Sequence, residues 1–262
     1  MTARKPAKRQ PQKEEVSALA RGIAVVQAVA DATAAPNNRD LATTTGLPKA
    51  TVSRLTATLV AAGYLRVDKN TDRYSLGSTL LRLSHAALRD FQLRDVARPY
   101  LTELAESMEA NVHLTVSDGI SMMVIDSVSP RAALILVQLA VGARMDMTTS
   151  AVGRAYLESL QPLERAAVFE KLSAEMGVKW NAMLPGLQAL LTDCSAKGYT
   201  TSFGEWHPDI NAIAVAIQDP TGMRFAINCG GPAYVFTAER LTNHIAPALL
   251  RTAKRISERA GS

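Results

Sequence analysis

Cysteine is scarce in this chain of 262 residues: Cys194 and Cys229 stand alone, and no Cys-x-x-Cys pair occurs. That scarcity excludes a disulfide scaffold and a thiol-ligated zinc site, and both thiols read as reduced packing residues of a cytoplasmic protein. Long apolar runs are missing as well; no uninterrupted stretch reaches the roughly 20 residues needed to cross a bilayer. The basic N-terminus lacks the apolar core of a secretory signal, so export is not expected. Phosphate-cradling GxxxxGK[ST] and GxGxxG elements and the GxSxG elbow of hydrolases are also absent. The histidines His85, His113, His207 and His244 are scattered. His207-Pro208-Asp209 offers two ligand types with no third at a recognisable spacing, and His113, inside an apolar run, reads as a satisfied core histidine. No catalytic residue, metal or cofactor is therefore expected, and the chain does not read as an enzyme.

What is present is an uneven charge. Residues 1–92 carry 14 Lys+Arg against 7 Asp+Glu, whereas residues 93–262 carry 15 against 17. All of the net +5 thus belongs to the first third of the chain. A basic segment joined to a mildly acidic one suggests a polyanionic partner for the first and a different partner for the second. Residues 1–15 read as a disordered basic tail, with Arg4, Lys5, Lys8, Arg9 and Lys13 near its start.

Residues 39–77 carry the most specific pattern, a winged helix-turn-helix. Residues 39–45 suit a short helix and Gly46-Leu47 a turn. Pro48 is placed at the first position of a second helix, where its missing N–H costs nothing. That helix is expected over 49–61, with a stop at Gly63. Val52, Leu55 and Leu59 share one side at helical spacing. Lys49, Ala50, Thr51, Ser53 and Arg54 lie on or beside the other, a small, polar and cationic face of the kind a major groove admits. Residues 64–67 and 73–76 read as two strands around a turn-rich segment, a hairpin wing whose Arg66, Lys69 and Arg73 are candidate phosphate contacts. A helical hairpin with a ribbon used only for packing is the competing reading.

Elsewhere, residues 16–32 read as an amphipathic helix with Leu19, Ile23, Val26 and Ala30 on one side, broken at Pro36-Asn37-Asn38. Residues 78–92 read as a connector helix striped by Leu80, Leu83, Ala87 and Phe91. The stripe pairs either with a second subunit or with its own domain. Further helices are expected at 93–110, 149–160, 162–172, 181–196 and 237–259. Strands are expected at 111–117, 121–127, 133–140, 199–203, 210–218 and 223–229, the first two joined by an Asp118-Gly119 hairpin signal. Strands grouped around helices without βαβ alternation indicate an α+β fold with an antiparallel sheet.

Several segments resemble the IclR family of transcriptional regulators. They are Ala18-Leu19-Ala20-Arg21-Gly22-Ile23-Ala24-Val25, Gly46-Leu47-Pro48-Lys49-Ala50-Thr51-Val52-Ser53-Arg54-Leu55, Tyr74-Ser75-Leu76-Gly77, Val112-His113-Leu114-Thr115-Val116 with Asp118-Gly119, and Ser150-Ala151-Val152-Gly153-Arg154-Ala155. Gly198-Tyr199 and Gly231-Pro232 fit too, and the set runs in the family's order over about residues 17–259. The resemblance implies a DNA-binding winged helix-turn-helix at 16–77, a linker helix at 78–92 and a GAF-like effector domain at 93–262. It also implies a homodimer or homotetramer on double-stranded operator DNA, with no membrane partner. Carried over segment by segment, it places Met145, Ala151, Val152, Ser202, Ile210, Ala212, Asn228 and Gly230 in an effector pocket, although Met145 and Ile210 also suit a plain core.

The start of the pocket helix has a physical reading of its own. Thr148-Thr149-Ser150 leads into Ala151-Val152-Gly153, and a helix start offers unpaired N–H groups and partial positive charge to a carboxylate. Ser150 equally suits a simple N-cap. Together with the mostly apolar pocket set, this suggests a small mono- or dicarboxylic acid, aromatic acids among the candidates. The chain departs from the family where many relatives have Pro and His and it has Asp146 and Thr148. The usual acidic pair after Gly-Tyr is reduced to Glu205, followed by Trp206, and a common Gly is Asp209. Two other readings of the whole remain: a small-molecule enzyme with a DNA-binding head, and an architectural DNA-binding protein without an effector.

Overall fold

The computed structural model describes residues 17–130 and 139–261. The tail expected at 1–15, and the strand expected at 133–140 apart from its last two residues, lie outside the described residues. The chain divides into two compact units, Met1–Asp90 and Phe91–Ser262.

The first unit contains α1 (Ser17–Ala30), α2 (Asn38–Thr45), α3 (Lys49–Ala61), the hairpin β1 (Leu65–Asp68) and β2 (Arg73–Leu76), and α4 (Ser78–Arg89). Its core is Val25 and Val29 of α1, Leu41 of α2, Val52 of α3 and Leu65 of the wing. The helix start at α2 is set by a reciprocal cap: Asn37 Oδ1 accepts from the Arg39 and Asp40 N–H groups at 2.8 and 3.0 Å, and Asp40 Oδ2 accepts from Asn37 N–H. What reads in the sequence only as a breaker at Pro36-Asn37-Asn38 is thus also an N-terminus. Gly46 holds the turn at φ 68°, and Pro48 is the N-cap of α3, one place earlier than expected. Thr56, fully buried, donates to Asn38 Oδ1 at 3.1 Å and ties α3 to α2.

Two expectations are corrected here. The α1 stripe Leu19–Ile23–Val26 is not the face that packs: Val25 and Val29 are buried, while Leu19 and Ile23 are 63% and 49% exposed. Connector helix α4 ends at Arg89 rather than 92, and none of its residues is buried. Phe91 leaves the helix and sets its ring edge-on against Phe225 at 6.3 Å, so it belongs to the second unit.

The second unit is built on one antiparallel sheet. Its strands are β3 (Asn111–Asp118), β4 (Ser121–Val128), β5 (Arg144–Asp146), β6 (Thr200–Phe203), β7 (Ile210–Gln218) and β8 (Arg224–Pro232), in the order β5-β4-β3-β8-β7-β6. Three-residue β5 was not expected; it is too short to show an alternation. The helices are α5 (Gln92–Met108), α6 (Ala151–Ser159), α7 (Pro162–Met176), α8 (Val178–Lys197) and α9 (Ala246–Ala260), the last preceded by a π-helical turn at Arg240–Ile245.

Strand alternation gives this sheet two unlike faces. On β7, Ile213, Val215 and Ile217 point one way while Ala212, Ala214 and Ala216 point the other. The small residues, with Ala226 of β8, join Val152, Ala155 and Leu157 of α6 and Leu187 and Leu191 of α8 in one core. Helices α5 and α9 pack on β3 and β7 from the other side. The small-residue face leaves room between sheet and α6, and the cavity lies there.

Candidate functional site

The register of the sheet composes the cavity floor. His113 pairs with Asn228 and Asn111 with Gly230 across β3 and β8; Ala212 pairs with Gly230 across β7 and β8 and with Ser202 across β6 and β7. Every one of these residues lies on the small-residue face. Ile210 and Gly231 extend the floor, Met145 and Leu139 supply an apolar wall, and Ser150 and Ala151 bring in the start of α6. Trp206 closes the remaining side. The cavity volume is about 30 Å³, room for two or so waters.

Of the effector residues expected from sequence, the structure gathers Met145, Ser150, Ala151, Ser202, Ile210, Ala212, Asn228 and Gly230 around this cavity. Val152 and Gly153 stand outside it. Val152 is fully buried in the core shared by α6 and α8. Gly153 is packed against the backbone of Met147, whose carbonyl oxygen lies 2.2 Å from where a Cβ would be. Its N–H is already spent on Ser150 Oγ at 3.1 Å. Gly230 is also required by close approach, since a Cβ there would meet Asn211 O at 2.6 Å and Ala212 Cβ at 2.8 Å.

The start of α6 is wound tightly from within. Ser150 Oγ accepts from Gly153 and donates to the Asp146 carbonyl at 2.5 Å, so this hydroxyl is an N-cap. Asp146 Oδ1 accepts from the N–H and hydroxyl of both Thr148 and Thr149, at 2.6 to 2.9 Å. Burial pushes the Asp146 carboxyl up, but these four bonds together hold it below the usual carboxylate value. The N–H groups of Ala151 and Val152 make no hydrogen bond among the described residues.

Arg154 resolves the divergent loop. Its guanidinium is 4% exposed and donates twice to Glu205, at 2.6 and 2.8 Å, and also to the carbonyls of Thr148 and Thr201 at 2.8 and 2.9 Å. Glu205, what remains of the usual acidic pair, neutralises a buried arginine, and the loop so anchored delivers Trp206 to the cavity. Arg154 is thereby committed within the fold. Arg144 pairs with Asp118 at the surface.

Sequence reasoning missed Asn111, His113, Leu139, Trp206 and Gly231. His113 is the buried histidine expected, and its Nδ1 bonds Asn228 Oδ1 at 2.9 Å, yet it also faces the cavity. Burial pushes its imidazole below the ordinary value, and the bond to Asn228 offsets this only in part. The alternation Asn111–His113 points to the pocket face only once β3 is known to lie beside β8. Trp206 sits in an irregular loop and carries no local signal. Among the described residues no three His, Cys, Asp or Glu side chains converge on a metal position. No helix among them is long and apolar enough to cross a membrane.

In the first unit, Lys49, Ala50, Ser53 and Arg54 lie exposed on α3, with Thr51 half-buried beside them. The Arg54 guanidinium and the Lys49 and Lys69 amines make no hydrogen bond or ion pair among the described residues, and Lys69 sits at the turn of the wing. The other two wing cations are held differently. Arg66 donates to its cross-strand neighbour Ser75 at 2.7 Å. Arg73 donates to the Ala35 carbonyl at 2.5 Å and lies 4.0 Å from Asp40, which draws it back toward the body of the unit.

Comparison with known proteins agrees with both halves of this arrangement. The family description "IclR helix-turn-helix domain" matches residues 18–69, and "Bacterial transcriptional regulator IclR C-terminal" matches residues 85–258. The crystal structure of an IclR family transcriptional regulator from Brucella abortus is 34% identical, covers 97% of this chain and 96% of its own, and superposes with a TM-score of 0.80. The HTH-type transcriptional regulator TsaQ1/TsaQ2 of Comamonas testosteroni is 28% identical over 237 residues, spanning 89% of this chain and 84% of the relative. An IclR homolog from Microbacterium hydrocarbonoxydans, crystallised as a complex with 4-hydroxybenzoate, shares the fold at 22% identity, with 93% of this chain and 99% of its own covered and a TM-score of 0.76. With a matched helix-turn-helix and a matched C-terminal region that together take in most of its length, the chain belongs to the IclR family of bacterial transcriptional regulators.

Proposed function

We propose that this regulator reads a pseudo-palindromic operator through α3 and releases or tightens its grip when a small organic acid enters the cavity beside α6. Residues 16–77 form the DNA-binding head in this reading, with 78–92 as the connector and 93–262 as the effector domain. Lys49, Ala50, Thr51, Ser53 and Arg54 meet base edges, with Arg54 the donor best placed for bidentate contact; Arg66 and Lys69 meet phosphates.

The observation that carries the effector reading is the cavity itself: an apolar-walled space with a few neutral polar groups, opened by small residues between the sheet and α6. The free N–H group of Ala151, at the start of α6, takes the carboxylate. Among the described residues no charged side chain lines the cavity, Arg154 is spent on Glu205, and Asp146 already places an anion beside the helix start. A second carboxylate would be buried without a counter-charge, so a monocarboxylate is favoured over a dicarboxylate. At about 30 Å³ the cavity is too small for a ring, so Trp206 or Leu139 moves to admit one. That displacement supplies the two states through which a ligand can alter operator affinity.

A second copy of the chain completes the reader. Leu19 and Ile23 on α1, and Leu81 and Leu83 on α4, are 45 to 75% exposed. Apolar surface on that scale in a small unit fits burial against another subunit, as a homodimer or homotetramer. The test is an operator titration with and without monocarboxylates. Ala151→Phe, which fills the cavity mouth of α6, should abolish the effector-induced change in operator affinity. An effector that still shifts operator affinity in Ala151→Phe places the site elsewhere.

A further inference from the structure

Strand β4 carries an acid at Asp126, and a slip in register decides which way it faces. Leu114 of β3 pairs with Asp126, whereas Thr115 pairs with Val124, so Ile125 is an extra residue on β4. Such a β-bulge re-aims the side chains beyond it. Met122 and Val124 lie in the core shared with α6, and unbroken alternation would send Asp126 there too. The bulge turns it toward α5 instead. Arg98 of α5 donates to Asp126 Oδ1, and the Ser127 N–H donates to the same oxygen at 2.9 Å. One turn earlier, Arg94 Nε donates to the carbonyl of Ile125 at 3.0 Å. Two arginines of one helix thus grip two consecutive residues at the bulge.

A grip of this kind is not what stability alone selects. The Asp126 side chain is 2% exposed. Its Oδ2 is buried without a hydrogen-bond partner among the described residues, and Arg94 Nε lies 4.0 Å away. A buried carboxylate left half-satisfied is less favourable than an apolar side chain of similar size. What the ion pair supplies, and apolar packing lacks, is one fixed geometry. Its place in the chain shows what is fixed. Connector α4 ends at Arg89 and α5 begins at Gln92, so Arg94 and Arg98 lie in the first two turns of the helix that follows the connector. Phe91, between the two helices, rests on Phe225, and Leu93 and Ala97 are buried. None of Arg94, Arg98 and Asp126 lines the cavity.

We propose that Arg94, Arg98 and Asp126 are positioning residues for operator binding. They clamp the first turns of α5 in one orientation on the sheet, and so fix the direction from which the connector starts and the spacing at which two heads meet DNA. This rests on the head-and-connector reading above and adds the residues that set the connector.

The test is a titration of the full-length protein against a duplex that the wild type has selected from random sequence, and against the same duplex with its half-sites one base pair further apart. Arg98→Met and Asp126→Asn should each weaken binding to the selected duplex about fivefold or more. Loss of charge alone predicts opposite signs, since removing a cation weakens DNA binding and removing an anion strengthens it. The double variant should stay within about twofold of the weaker single variant, because both break one clamp. The salt dependence should not change, as no phosphate contact is removed. Both variants should also tolerate the wider spacing better than the wild type, which loosened packing inside the effector unit alone would not produce. Arg98→Lys keeps the charge but loses the planar fork, and should show the same tolerance even where Asp126→Asn fails to fold. Wild-type affinity and spacing preference in folded Arg98→Met or Arg98→Lys overturn the clamp, and leave the head reading standing if Arg54→Ala still loses selectivity. Opposite signs for Arg98→Met and Asp126→Asn also overturn it. Unchanged selectivity in Arg54→Ala overturns the head reading and the clamp's role with it.

Discussion

Helices α3 and α6 carry the two proposed recognition surfaces, and they are built in opposite ways. Along α3 only Val52 and Thr56 are buried, and the side chains proposed to meet DNA stand in solvent. Along α6, Ala151, Val152, Gly153, Arg154, Ala155 and Leu157 are all buried. The proposed function of α3 is a display, added to a helix that folds for other reasons. The proposed function of α6 uses a gap in packing, inseparable from what holds the domain together. Substitutions on α3 should therefore change binding and spare stability, while those around α6 should change both.

The largest effect should follow Arg154→Ala. Removing the buried guanidinium strands two carbonyls, frees Glu205 and unpins the loop that carries Trp206. A loss of about 2–4 kcal/mol in urea unfolding is expected from the two stranded carbonyls, with the effector response abolished. A loss below about 1 kcal/mol would make α6 as tolerant as a surface helix.

Arg54→Ala should leave unfolding within about 0.5 kcal/mol of the parent. It should remove about 1–3 kcal/mol of discrimination between operator and unrelated DNA in gel-shift titrations. Unchanged selectivity would take Arg54 out of the reading face.

A smaller effect separates the units by pH. Burial holds His113 below its ordinary value, with partial compensation from Asn228, so the folded chain binds this proton less readily than the unfolded chain does. Stability from this group is complete above about pH 6.5 and is lost as pH falls from there toward the lower folded value. The thermal midpoint of the effector domain should drop between about pH 7 and about pH 5.5, and less so in His113→Gln. An identical drop in both proteins would assign it to other groups.

The smallest effects belong to the wing. Lys69→Ala should lower the salt dependence of DNA binding by about one phosphate contact at no cost in stability. Arg73→Ala should change the salt dependence less and cost about 1 kcal/mol of stability, since Arg73 is bonded to Ala35 and lies near Asp40. The reverse ranking would show that Arg73 leaves those partners for DNA.

Much of the first unit was legible because its signals are local. Pro48, the small residues of α3, Gly63 and the turn-rich wing each act within a few residues of one another. The α1 stripe misled for the same reason: periodicity finds two apolar faces on that helix, and only packing decides that Val25 and Val29 go inward while Leu19 and Ile23 stay out. In the second unit, the antiparallel sheet and the cap at Ser150 were readable, and family likeness supplied most of the cavity wall. Asn111 and His113 were not found, since a polar residue in an apolar strand gives no sign of what faces it.

The sequence by itself determined the winged helix-turn-helix, its basic charge and the alternation that gives β7 one small face. All three depend on residues close in the chain or on simple sums of charge. Only the tertiary structure decided that Arg154 answers Glu205 rather than a ligand. It also decided that Asn111, His113 and Asn228 meet on one floor. Those outcomes depend on strand register and on which groups spend their hydrogen bonds within the fold. Such pairings link residues as far apart as 113 and 228, beyond the reach of any local pattern.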